Sequence, residues 1–119
     1  MFEVGQTNIM IEDTIKKIEA RINSSGTLSD ERRYELVQLL AKLKAEVNEL
    51  SRTHDDEARS ITGFVQVSAH EATRDTRNPE LLGISLQGLR SSVEGFEKSH
   101  PQLVQIVNSI SNTLSNLGI

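Results

Sequence analysis

The chain contains no cysteine and no tryptophan, and it has only two prolines, one tyrosine and three phenylalanines in 119 residues. Without cysteine there is no disulfide, no thiolate metal site and no cysteine nucleophile. That pattern is compatible with a reducing compartment. Few aromatics beside many Leu, Ile, Val, Ser, Glu and Arg disfavour a β-sandwich and point to helices. With a net charge of -4, the chain lacks the basic balance of a general nucleic-acid binder. No stretch approaches the ~20 apolar residues of a membrane span. The opening "MFEVGQTN" has no basic region followed by an apolar run, so a secretory signal is not expected in it. No phosphate loop, dinucleotide signature or nucleophile motif appears.

Apolar spacing then sets the architecture. Ile11, Ile15, Ile18 and Ile22 repeat at four, three and four residues, which is one helical stripe. A short first helix is expected from about Ile9 to Ser24, capped by Asn8, with residues 1–9 as a tail and Met10 as an alternative start. Gly26 is expected to end it in a left-handed conformation. Ser29, followed by Asp30 and Glu31, starts a second helix. Its stripe runs Leu36, Leu40, Leu43, Val47, Leu50, His54, Ala58, Ile61, Val65, Ala69 and Ala72 with no proline. Unbroken, that helix is roughly 70 Å long, a coiled-coil-like length.

Asn78, Pro79 and Glu80 announce a third helix. Leu82, Leu86, Leu89, Val93, Phe96, His100, Leu103, Val107, Ile110, Leu114 and Leu117 keep their phase straight through Pro101. One kinked helix or two helices nearly in line is expected there. Gly118 and Ile119 fit a helix C-cap.

A short turn near Arg77 folds the two long helices into an antiparallel hairpin. That register sets Ala72 opposite Leu82, Ile61 opposite Val93, Ala58 opposite Phe96 and Val47 opposite Val107. Two independent apolar runs agree in it. The expected fold is all-α: a short N-terminal helix and a long antiparallel helical hairpin in a single domain of residues 10–119. The first helix covers the open end, over Val37, Ala41 and Ala45, and does not reach the turn.

The same register sets His54 opposite His100 and Glu57 opposite Glu97. Each His and Glu pair is spaced i, i+3 and shares a helix face. Imidazole with carboxylate suits Zn, Fe or Mn, so the cluster is a candidate metal site. The plainer reading, which the residues favour, is a polar layer that fixes register, with no cofactor. A catalytic acid–base use is the weakest of the three.

Near the turn, Phe64, Val67, Leu81 and Ile84 add more apolar surface than a two-helix contact hides. Ser85, Gly88, Ser92, Gly95 and Ser99 form a stripe of small residues that permits close helix approach. From Ser99 onward no charged residue occurs. A homo-oligomer is expected, a dimer above all, completing a four-helix bundle through Phe64, Val67, Leu81, Ile84, Gly88, Ser92 and Gly95. An adaptor binding a protein partner at the hairpin tip keeps the same fold. The expected role is structural or protein-interaction, not enzymatic, with no nucleic acid and no membrane. A metal-binding helical bundle is the alternative.

The chain resembles a family of short bacterial helical proteins catalogued only as a domain of unknown function. The resemblance is carried by "MIEDTIKKIEARI", "ELVQLLAKLKAEVNELSRTHDDEARSI", "SAHEATRDTRNPELL" and "SVEGFEKSHPQLVQIVNSISNTLSNLGI". It implies a small, cytoplasmic, bacterial, all-α protein. It supplies no activity, cofactor or site residue.

Overall fold

A computed structural model describes the backbone of residues 2–117 and the side chains of residues 9–117. The C-cap expected at Gly118 and Ile119 lies outside the described residues. Five helices and no strands occur among those described: α1 (Phe2–Ser24), α2 (Asp30–Ser51), α3 (Asp55–Ala72), α4 (Pro79–Ser92) and α5 (Pro101–Leu117).

The expected helix starts are present at α2 and α4. Ser29 Oγ accepts from the Arg32 amide at 3.2 Å, and Asp30 and Glu31 occupy the first turn. Asn78 Oδ1 accepts from the amides of Glu80 and Leu81, with Pro79 as first helical residue. The start of α1 differs. The helix begins at Phe2, so Asn8 is interior and the helix runs through the segment expected to be a tail. Gly26 sits in a turn without a positive φ; among the described residues the positive φ belongs to Gly95.

Neither long helix is continuous. The second divides at Arg52–His54. Its last amides tighten onto the preceding turn, Arg52 N–H to Glu49 O and Thr53 N–H to Leu50 O. His54 then leaves the helical region at φ -136 and ψ 68. Asp55, Asp56 and Glu57 follow, three carboxylates that favour a helix N-terminus and oppose a helix interior at that point. The third helix divides between Ser92 and Pro101. Gly95 adopts φ 94, a left-handed conformation, and Pro101 begins α5 where its missing N–H has no intrahelical role.

The chain reverses at both breaks. Arg33 at the start of α2 donates to the carbonyls of Ile22 and Ser25, while Arg21 of α1 donates to Thr73 Oγ1 at 2.7 Å and to His70 O. The start of α2 and the end of α3 therefore share one end of the molecule. Thr113 of α5 donates to Glu35 of α2 at 2.8 Å, so α5 also ends there. His54 and His100 meet at the opposite end. The helices α2, α3, α4 and α5 thus run up, down, up and down. Each packs on its neighbour and α5 closes onto α2, while α1 lies on α2 and α3.

The expected hairpin is doubled over at its middle, and its long axis is 42 Å. A single chain closes the ring of four helices, so a second copy is not needed to complete it. Doubling also corrects the placement of α1. The helix runs beside α3 to Thr73 and reaches the turn end, while Ala41 and Ala45 stay exposed.

The core is the expected stripe. Ile11, Ile15, Ile18 and Ile22 of α1 are buried, as are Leu36, Leu40, Leu43, Val47 and Leu50 of α2. They meet Ala58, Ile61, Val65, Ala69 and Ala72 of α3, Leu82, Leu86 and Leu89 of α4, and Leu103, Val107, Ile110 and Leu114 of α5. Full burial of each large aliphatic side chain contributes about 1.5–3 kcal/mol before ordering entropy. Asn108, Asn112 and Asn116 form an exposed ridge on α5. The faces beside that ridge pack, with Ser111 and Thr113 buried.

Candidate interaction face and histidine layer

The break between α2 and α3 places His54 against the loop that joins α4 to α5. Its ring stands 5.4 Å from Phe96 and 6.5 Å from His100, and Phe96 stands 5.6 Å from His100, all near perpendicular. These are edge-to-face contacts, the geometry that aromatic quadrupoles favour. The sequence register therefore holds at this level: His54 does meet His100. Each imidazole is tied to the hydroxyl preceding it, His54 Nδ1 with Thr53 Oγ1 at 2.8 Å and His100 Nδ1 with Ser99 Oγ at 3.0 Å.

The two glutamates of the expected cluster do not join them. Glu97 is exposed, and its carboxylate accepts from the Gly95 amide at 2.9 and 3.3 Å, which closes its own loop. Glu57 is exposed and lines a shallow groove between α3 and α4. Among the described residues no group of three or more His, Asp or Glu is placed to hold a metal ion. The loop that Gly95 and Pro101 create turns Glu97 away from the line a straight helix would have given it. His54, Phe96 and His100 are a half-buried ring layer, and Phe96 is the member that metal-ligand spacing overlooks.

The second region is the outer face of α3 and α4. These helices pack closely because α4 offers small residues. The Phe64 ring lies across Gly88, where an added Cβ would stand 2.8 Å from ring Cδ1. Ser85 is buried with its hydroxyl donating to Leu82 O, and Ser92 donates to Leu89 O at 2.6 Å. The close approach expected of this stripe is met by α3 of the same chain at Gly88. Gly95 serves the turn instead.

On the outer side of this contact four large apolar side chains stay partly in solvent. Phe64 is 38% exposed, Val67 49%, Leu81 44% and Ile84 65%. They come from facing stretches of two antiparallel helices and so share one side of the bundle. Glu57 and Asp56 border them at one end, in the same groove as Phe64. An apolar patch with a charged rim has the composition of a protein-contact surface.

A third feature carried no sequence signal. An open groove of about 530 Å³ lies between α2 and α5, lined by Leu39, Lys42, Ala45, Glu46, Gln102, Gln105, Ile106 and Ser109. It exists because Ala45 leaves room beside the half-buried Leu39 and Ile106, a consequence of the α2–α5 pairing that no local pattern encodes. Among the described residues no helix is long and apolar enough to cross a membrane.

No curated protein and no solved structure matches the chain. A family model matches residues 36–119, the span from within α2 through α5, and leaves α1 outside the match. The chain belongs to the family described as Domain of unknown function (DUF4404).

Proposed function

We propose that this protein is a non-enzymatic helical module of the cytoplasm that works through protein contacts and associates with further copies of itself. The observation that carries the reading is the α3–α4 face, where Phe64, Val67, Leu81 and Ile84 stay solvent-exposed while the core stripe beneath them is fully covered. Exposure of that much large apolar surface on one side of a small bundle is unfavourable unless another surface covers it. The same stretch lies on rigid helices and not on loops, which suits a pre-formed contact surface. Metal binding is the weaker reading, because Glu57 and Glu97 point away from the histidine layer.

Sedimentation velocity across a concentration series tests the proposal. The wild type is expected to exceed its 13.2 kDa chain mass as concentration rises. Val67→Glu with Ile84→Glu is expected to weaken that face-to-face association about tenfold or more, two charges per copy being placed in an apolar contact. A wild type that stays at one chain mass throughout would remove the homo-oligomer from the reading.

A further inference from the structure

The stripe that forms the core does something that five short helices do not require. Leu50, His54, Ala58 and Ile61 stay on one helical stripe, in steps of four, four and three, across the α2–α3 break, and Val93, Phe96, His100 and Leu103 do so, in steps of three, four and three, across the α4–α5 loop. A chain that reverses at these points has no need to preserve phase through them, since each helix sets its own rotation after the turn. Phase is needed where the helices run on, whether straight, as from α2 into α3, or bent, as at Pro101. Both breaks also lie at one level, because His54 and His100 stand 6.5 Å apart and Phe96 packs against both. The unit beyond that level, α3 with α4, is connected along the chain to the rest only through these two segments.

From this we infer that the protein has a second, exchanged form, in which the α3–α4 hairpin swings out and packs on α1, α2 and α5 of a second copy. The contacts of the α3–α4 hairpin with α1, α2 and α5 are re-made between chains, those within each unit are kept, and only the hinges change, which is the low-cost route to a dimer. The inference rests on the reading of the chain as homo-oligomeric, and it is separable from the surface contact proposed above.

The hinges suit the exchange unequally. Arg52–His54 is three residues long and contains neither proline nor glycine. Its amides already bond to the preceding turn, and His54 N–H reaches Leu50 O at 2.8 Å, a helical i to i−4 bond. Moving His54 from φ -136 and ψ 68 into the helical region would join α2 to α3 as one rod. The other hinge stays jointed. Gly95 can leave its positive φ without penalty, but Pro101 has no N–H to give Glu97 O and prevents a straight α4–α5 rod. In the open chain His54 shares a face with Leu50 and Ala58, and the ring layer of both copies sits at the centre of the dimer. Short hinges between antiparallel elements favour such exchange.

The test uses the full chain, unfolded in guanidinium and refolded at micromolar and at millimolar concentration. Arg21 and Thr73, bonded at 2.7 Å between α1 and α3, are replaced as Arg21→Cys and Thr73→Cys in a chain that has no other cysteine. A short bifunctional thiol reagent then links them. The expected result at high concentration is a dimer linked chain to chain, slow to dissociate on dilution, with a long axis near twice the monomer's 42 Å. Asp55→Pro is expected to lower its yield about tenfold or more. Proline is accepted at the first position of α3 and keeps His54 out of the helical region, so the closed monomer survives while the straight path is blocked. Val67→Glu with Ile84→Glu leaves the exchanged dimer in place. A dimer whose 21–73 links all fall within one chain overturns the exchange but keeps the homo-oligomer. A single chain mass at every concentration overturns both.

Discussion

The two breaks in the stripe reach the same end by opposite means. At the α4–α5 loop the chain is forced to turn: Gly95 occupies a backbone conformation that other residues resist, and Pro101 removes an interior hydrogen bond. At Arg52–His54 nothing forbids a helix. The turn there follows from bias: a β-branched Thr53 and a histidine of modest helix propensity, then three carboxylates that stabilise a new N-terminus. One break is steric and built into the chain. The other is a matter of small free-energy differences summed over a few residues, and tertiary packing decides it. The difference explains why one hinge of the molecule can straighten and the other cannot.

Substitutions sharpen that contrast, and the largest effects come from the core layers on either side. Leu50 precedes the first break and Leu103 follows the second, and each is fully buried. Leu50→Ala and Leu103→Ala are each expected to lose about 2–5 kcal/mol in guanidinium unfolding. A loss well under 1 kcal/mol at either site would mean that the break is peripheral to the bundle. Next in size, Gly95→Ala is expected to lose about 1–2 kcal/mol, because φ 94 is strained for any residue with a Cβ. Gly63→Ala is the control: its Cβ would meet open space in the middle of α3, and a gain of up to about 1 kcal/mol is expected. The smallest effect belongs to the bias-driven break. Asp56→Lys, at an exposed first-turn position of α3, is expected to lose about 0.3–1 kcal/mol, less at high salt. If Asp56→Lys matched Gly95→Ala in cost, the distinction between a forced turn and a favoured one would collapse.

How much of this was legible follows from the same contrast. The stripe from Leu36 to Leu114 identified the core, because periodicity is a direct record of which side is buried. The caps at Ser29 and Asn78 were legible because each rests on local chemistry; Pro101 marked a discontinuity, but as a kink or two helices nearly in line and not as the reversal that α4 and α5 make. The break at His54 was not, since continued phase read as a continued helix. Its trace is the run Asp55, Asp56, Glu57, three successive carboxylates that mark a helix N-terminus inside an apolar stripe. Missing it turned a doubled bundle into a long hairpin and made a second copy look necessary. For the site, the register brought His54 and His100 together, and Phe64, Val67, Leu81 and Ile84 were identifiable as apolar residues beside the main stripe. The direction of Glu97 was not, because it depends on the loop that Gly95 opens.

One chain folds its own hairpin in half, and small-angle X-ray scattering on the monomeric fraction measures that doubling. A doubled chain has a radius of gyration near the 13.7 Å of its Cα atoms, with a long axis near 42 Å, each slightly enlarged by side chains and hydration. A radius near 20 Å, the value for a straight hairpin roughly 70 Å long, would contradict it.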